Sequence, residues 1–169
     1  IEFESSTGLM NWSQYMDLFA IGTVKGTTTD DHCTFELIVN EEHGHSVPFS
    51  FLLGYGNTAS HWTSAGSYHP LMAACPATGS GGIDANSFGA FYLNIMDINS
   101  GKYKGVLSRA AESHSTNAST TGVSLCSATW EDRGPVTNLQ FMDTTAGSTK
   151  LKTGTRIDLF AVLPRLVEN

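Results

Sequence analysis

The chain has little charge, and most of the charge it has is acidic. Only 15% of its 169 residues are Asp, Glu, Lys or Arg, and 9 basic against 16 acidic residues give a formal net charge of −7. Nucleic-acid binding requires clustered Lys and Arg against the phosphates, whereas the densest basic pair here is Lys102 and Lys104, with Tyr103 between them. The composition therefore argues against a nucleic-acid partner.

Long apolar runs and a cysteine framework are also missing. No apolar run reaches the roughly 18 residues of a membrane-spanning helix, so we expect no membrane insertion, and no signal-peptide pattern is visible. The cysteines Cys33, Cys75 and Cys126 are odd in number, widely spaced and without a Cys-x-x-Cys pair, which excludes a full disulfide framework. We expect buried or unreactive thiols, with one disulfide as the alternative.

Motifs for catalysis are lacking as well. There is no Gly-x-Ser-x-Gly nucleophile elbow, and the Gly-rich run 79–82 is not followed by the Gly-Lys-Ser/Thr of a phosphate-binding loop. A carboxylate pair for glycoside hydrolysis stays open as a minor alternative; its possible members are Glu36, Asp97, Glu131 and Asp158. We predict a protein that is not an enzyme and that needs no cofactor.

What the chain does contain is β-strand sequence. Ser, Thr and Gly are abundant, and short β-forming segments alternate with turns such as Asp97 to Gly101. Eight segments fit strands: Tyr15 to Thr23, Cys33 to Val39, Val47 to Leu53, Phe88 to Ile98, Tyr103 to Arg109, Gly122 to Cys126, Val136 to Met142 and Thr155 to Leu163. This number predicts an all-β fold, an antiparallel β-sandwich of jelly-roll-like type.

No linker, repeat or low-complexity tract divides the chain, so we expect one domain over residues 1–169. It opens within a strand-like pattern at Ile1, and we expect further residues upstream. In the longest segment, Phe91, Leu93 and Ile95 should share one face. Tyr15 to Thr23 is almost continuously apolar, which predicts a strand buried on both faces.

Histidines form the first candidate site. His43 and His45 are two apart, so both rings could reach one metal ion from an extended segment. A third ligand is not named by the local sequence, but a threefold axis could supply ligands from other copies. The alternative is a solvated polar loop.

Aromatic residues form the second candidate site. Tyr55, Trp62, Tyr68 and His69 lie in a stretch, 54–70, that we predict to be rich in loops. Exposed Tyr and Trp can stack on sugar rings, which suggests contact with a glycan or host surface. The alternative is that they anchor a long loop on the sandwich or lie in an oligomer interface.

Several segments together resemble small β-sandwich proteins from the structural gene clusters of tailed bacteriophages, especially phages of aquatic and cyanobacterial hosts. They are Ile1 to Glu4, Trp12 to Ile21, Phe88 to Ile95, Asp97 to Lys104, Trp130, Val136 to Phe141 and Gly154 to Phe160. Ala161 stands where that family usually has Gly, and residues 54–84 match poorly. The resemblance carries over no catalytic residue.

The resemblance implies a non-enzymatic protein on the virion surface, on tail or capsid. The first expectation is a tail-fibre or appendage domain that faces the host, and the alternatives are a head decoration protein or a carbohydrate-binding module. The expected partners are further copies of the chain in a homotrimer, other virion proteins and a host surface glycan. Oligomerisation would also cover sheet edges that an isolated sandwich leaves open.

Overall fold

A computed structural model describes residues 1–6, 11–27, 32–42, 47–67, 71–76, 86–112, 122–143 and 151–164; side chains are not described at 32–34, 55, 62, 64–67 and 71–76. This part of the chain contains eleven β-strands and one short 3₁₀ turn at Trp12–Gln14. The strands are β1 (Glu2–Glu4), β2 (Asp17–Val24), β3 (His32–Val39), β4 (Val47–Tyr55), β5 (Thr58–Ser67), β6 (Leu71–Pro76), β7 (Gly89–Met96), β8 (Lys104–Glu112), β9 (Gly122–Trp130), β10 (Asn138–Asp143) and β11 (Arg156–Val162).

The strands form two antiparallel sheets. One has four strands in the order β1-β10-β3-β6, and the other has seven in the order β11-β2-β7-β8-β9-β4-β5. The chain passes repeatedly from one sheet to the other, as it does in jelly rolls, while β7, β8 and β9 form a meander and β4 and β5 a hairpin. The antiparallel all-β sandwich predicted from the sequence is confirmed.

Alternating strands supply the core between the sheets. In β7, Phe91, Leu93 and Ile95 are buried, as the sequence predicts, whereas their neighbours Ala90 and Met96 are exposed. Phe91 of the seven-stranded sheet meets Phe35 of the four-stranded sheet edge to face, with ring centroids 4.9 Å apart. Such aromatic pairs stabilise a fold beyond the contribution of the surface area that they bury, so this contact helps to hold the two sheets together.

All eight predicted strands are present, but three others, β1, β5 and β6, were not predicted. Strand β5 explains why: its sequence, Thr-Ala-Ser-His-Trp-Thr-Ser-Ala-Gly-Ser, shows no apolar alternation. It forms because its backbone pairs with β4 from Tyr55 opposite Thr58 to Val47 opposite Ser67. The predicted loop-rich stretch 54–70 is therefore wrong over most of its length, since it is the end of β4 and the whole of β5.

Strand β2 differs from its prediction in one respect. Leu18, Ala20 and Val24 are buried in the core, as expected, but Ile21 on the opposite side is 40% exposed. The sequence predicted burial on both faces because the outward residues Phe19 and Ile21 are as apolar as the inward ones. In the single chain, only the inward face of β2 is covered.

Candidate functional site

The predicted aromatic site is divided by the structure. Tyr55 is the last residue of β4, and Trp62 lies within β5, opposite Phe51. Tyr68 and His69 lie outside the described residues. Two of the four residues therefore belong to a hairpin at the edge of the seven-stranded sheet, where we had predicted a loop.

The predicted metal ligands His43 and His45 lie outside the described residues. Among the described residues, one group of three carboxylates, Glu2, Glu4 and Glu41, comes together on the surface, with oxygens within 4.8 Å of one another. Asn138 Nδ2 and Gln140 Nε2 donate hydrogen bonds to Glu2 at 2.5 and 3.0 Å. These bonds hold the pKa of Glu2 below its ordinary value, so this carboxylate joins β1 to β10.

The four carboxylates considered for glycoside hydrolysis lie on separate elements. Glu36 is half-buried on β3, whereas Asp158 lies on β11 at the edge of the other sheet and forms an ion pair with Arg156 at 3.0 Å. Asp97 follows β7, where its backbone N–H donates to the Asp17 carboxylate at 3.0 Å, and Glu131 is exposed after β9. These placements supply no argument for a glycosidase pair.

One member of the basic pair, Lys104, has a structural role. Lys104 begins β8 with its side chain buried, and its Nζ donates to the backbone oxygens of Asp132, at 2.7 Å, and Gly134. Burial lowers the pKa of Lys104, and the nearby Asp132 carboxylate partly offsets this. Lys104 therefore holds the turn that follows β9 and is not presented to a partner.

The most unusual surface is the outward side of the seven-stranded sheet. Its central row crosses all seven strands at matched register positions: Asp158, Ile21, Tyr92, Arg109, Leu125, Leu52 and His61. The two flanking rows add Phe160, Phe19, Asn94, Leu107, Ser127, Ser50 and Thr63 on one side, and Arg156, Thr23, Ala90, Ala111, Val123, Gly54 and Ala59 on the other. We call these three rows the apolar face.

Large hydrophobic side chains on the apolar face are exposed to solvent. Val123 is 62% exposed, Phe160 53% and Leu125 43%, and Ile21, Leu52 and Leu107 are also exposed. Its charged side chains are Arg109 and the ion-paired Arg156 and Asp158. The outward residues of a solvated antiparallel sheet are normally polar, so this face departs from the pattern.

The four-stranded sheet provides a contrast within the same molecule. Its outward positions include Glu2, Glu4, Glu36 and Gln140, together with Ile38, which is buried. Glu2 and Glu4 are exposed, while Phe3 between them packs edge to face on Phe141 in the core. Among the described residues of β1, β3 and β10, no large hydrophobic side chain is exposed, in contrast to the seven-stranded sheet.

The middle of the apolar face is shallow and smooth. Ala90 and Ala111 form the floor of a depression of about 430 Å³ between Tyr92 and Val123. Arg109 lies over the ring of Tyr92, 4.9 Å from its centroid. The depression is wide open to solvent, so another broad surface could cover it.

Sequence reasoning missed this surface, although one signal for it was present. β2 has apolar residues on both of its sides, a pattern that predicts burial on both sides. Its outward residues Phe19 and Ile21, however, belong to the apolar face. Leu107, Val123 and Leu125 sit at alternate positions of strands whose other side is buried. Only the sheet order shows that these positions lie side by side.

Comparison with protein-family models, curated proteins and solved structures found no match to this chain. Within the described residues, no helix has the length and apolar character needed to cross a membrane.

Proposed function

We propose that this chain is a non-enzymatic structural protein of a tailed-phage virion, which assembles with copies of itself through the apolar face. The observation that carries the assembly is the set of exposed hydrophobic side chains that the apolar face presents on β2, β4, β8, β9 and β11. The sequence resemblance supplies the virion setting and the expectation of an appendage domain.

Exposure of this face to water is energetically costly. Burying a Val, Leu, Ile or Phe side chain fully contributes about 1.5–3 kcal/mol, and Val123, Leu125, Leu52 and Phe160 are each partly or mostly exposed. Soluble monomers rarely present a large continuous apolar patch, and such a patch marks an interaction surface. If another copy covers the face, β2 becomes buried on both of its sides, as its apolar sequence predicts.

The apolar face approaches the size of one side of a protein interface. Its three rows span five residues on each of seven strands, which at about 3.3 Å per residue and 4.8 Å between strands gives roughly 550 Å². A stable specific interface covers about 800 Å² on each partner. In a homotrimer each copy meets two neighbours, so the interface with either neighbour would extend beyond the apolar face.

The charge distribution permits a second copy of the chain as the occupant. The net charge is −7, and two such chains repel each other where their acidic residues meet. The apolar face carries Arg109 and the neutral Arg156–Asp158 pair, so copies that meet there avoid the repulsion between acidic residues. β-Sheets also pack face to face at about 10 Å through interdigitating apolar side chains.

The hairpin of β4 and β5 is our proposed point of contact with the host surface. It forms one edge of the seven-stranded sheet, carries Tyr55 and Trp62, and turns through Gly56, whose φ is +54°. With the apolar face buried between copies, this edge lies at the side of the assembly. A head decoration protein is the alternative placement, with capsid subunits in place of the host.

A carbohydrate-binding module has weaker support. Tyr92 and Phe19 lie side by side on the apolar face, with ring centroids 5.6 Å apart, and aromatic rings can serve as sugar platforms. However, the guanidinium of Arg109 already covers the Tyr92 ring. A sugar would have to displace this cation–π contact before it could stack.

Substituting Leu125 with Glu should disrupt the assembly. Leu125 occupies the central row of the apolar face, and its side chain points away from the core. A carboxylate buried between copies without a partner costs several kcal/mol, so we expect association to weaken at least 100-fold. Light scattering after size-exclusion chromatography should give the mass of three chains for the wild type and of one chain for the variant.

Tyr103→Glu is the matched control, because Tyr103 is 48% exposed and lies between β7 and β8, outside the three rows. It should assemble as the wild type does. A wild-type protein that is monomeric at about 100 µM would disprove self-assembly, and dissociation by both variants would show that the effect is not specific to the face.

Placement on the particle is a separate prediction. Immunogold labelling of phage particles that carry this chain should mark the tail fibres or another tail appendage. Gold on the heads would replace the appendage placement by the decoration placement. Particles that bind no antibody, although they are detected with an antibody against a known virion protein, would overturn the virion setting.

A further inference from the structure

Two of the three cysteines occupy directly opposed positions on neighbouring strands. In the antiparallel pairing of β3 with β6, Cys33 is the register partner of Cys75, between the pairs His32 with Pro76 and Thr34 with Ala74. The sequence separates these cysteines by two strands of the other sheet, so no spacing rule could connect them. We propose that Cys33 and Cys75 form a cross-strand disulfide.

The backbone geometry meets the requirement for such a bond. Directly opposed residues of an antiparallel pair have Cα atoms about 4.5 or 5.5 Å apart, depending on the type of pair. Disulfides occur at Cα separations of about 4.4–6.8 Å, so both types of pair qualify. Opposed residues also lie on the same face of the sheet, and the register shift in this pairing comes later, between Phe35 and Glu36.

The third cysteine lies elsewhere. Cys126 is buried on β9 of the seven-stranded sheet, where it is a free thiol opposite Ser108 of β8. Burial raises the pKa of Cys126 to about 12, although a hydrogen bond with Ser108 opposes the shift. Because the thiolate is the reactive form, Cys126 is a poor participant in disulfide exchange, which accounts for the odd number of cysteines.

The reaction requires an oxidant, which we take to be a low-molecular-weight disulfide such as oxidised glutathione. One cysteine thiolate attacks it, forms a mixed disulfide and releases one glutathione thiol. The second cysteine then attacks the mixed disulfide, so that the Cys33–Cys75 bond forms and a second glutathione thiol leaves. Two protein thiols are oxidised as one disulfide is reduced, and disulfides formed in this way persist on virion surfaces.

The bond would hold an edge strand in place. β6 is an edge strand of the four-stranded sheet, and edge strands are the elements most open to fraying and unwanted pairing. The chain between the two cysteines includes β4 and β5 of the other sheet. The crosslink therefore closes a ring that passes through both sheets.

A thiol count on the full-length protein tests the proposal. After incubation with oxidised glutathione and removal of the reagent, the denatured protein should show one thiol per chain, and three after reduction. Cys126→Ser should show no thiol before reduction. Cys33→Ser and Cys75→Ser should each form no internal crosslink, and the remaining cysteine of the pair should be partly a free thiol and partly a mixed disulfide with glutathione. Three thiols in the wild type after oxidation would overturn the proposal.

Peptide mapping identifies the partners. No Lys or Arg lies between Lys25 and Lys102, so trypsin leaves both cysteines on one peptide. Cleavage after Glu places the three cysteines on separate peptides, 5–36, 43–112 and 113–131. Without reductant, mass spectrometry should find peptide 5–36 joined to peptide 43–112. If either of them is joined to peptide 113–131 instead, the strand register does not determine which cysteines pair.

Discussion

Replacing Gly22 with Ala should destabilise the seven-stranded sheet by about 3 kcal/mol or more. A Cβ at this position would lie 2.1 Å from the backbone oxygen of Arg156 and 2.9 Å from Cε1 of Phe91. Gly22 pairs with Ile157 on one side and with Phe91 on the other. The backbone oxygen cannot rotate away, so the pairing of β2 with β11 must shift to admit one methyl group.

Urea-induced unfolding, followed by the fluorescence of the buried Trp12 and Trp130, measures this effect. Gly105→Ala is the matched control, because Gly105 lies in the same sheet but its added Cβ would meet only the terminal Cε of Met96, at 3.2 Å. A methionine end can move at little cost, so the control should change the free energy of unfolding by less than about 1 kcal/mol. An equal loss in the free energy of unfolding of both variants would show that the clash with the Arg156 backbone oxygen is not the cause of the destabilisation.

The second large effect is a loss of stability as the pH rises, caused by Glu112. This residue ends β8 with its side chain turned inward and 4% exposed, and burial raises its pKa to about 8. The ordinary value is 4.5, so the folded state binds the proton more tightly than the unfolded state. The resulting stability is fully present below about pH 4.5 and is lost as the pH rises towards 8.

At about 1.4 kcal/mol for each pH unit, the contribution lost across this window is of the order of 4–5 kcal/mol. Free energies of unfolding between pH 5 and pH 8.5 should therefore fall more steeply for the wild type than for Glu112→Gln, which has no proton to lose. Glu131→Gln, at an exposed position, should keep the wild-type slope. The same slope in all three proteins would contradict the assignment to Glu112.

The sequence predicted the strands whose two sides differ in polarity or whose ends carry clear turn residues. β7 is the clearest case, since Phe91, Leu93 and Ile95 alternate with more polar or exposed neighbours and all three enter the core. β5 escaped prediction because its hydroxyl-bearing and small side chains do not alternate, and its strand conformation comes from pairing with β4. Pairing between distant segments is not encoded in local periodicity.

The difference between local sequence pattern and long-range pairing also explains how much of the candidate sites the sequence could predict. The sequence singled out Tyr55 and Trp62 but placed them in a loop, because Gly, Ser and Thr dominate around them. The apolar face is assembled from single outward residues of seven strands, for example Ile21, Leu125 and Leu52. The opposition of Cys33 and Cys75 likewise follows from register, which requires the full sheet order.

The order of strands in the sheets also has a consequence for how the chain folds. β1 pairs with β10, and β2 pairs with β11, so the first two strands have partners among the last two. Folds dominated by such distant contacts form slowly, typically over milliseconds to seconds, because a long loop must close before the contacts stabilise it. During synthesis, β2 cannot pair with β11 until Arg156–Val162 has left the ribosome, so this side of β2 stays open to pairing with other chains until then.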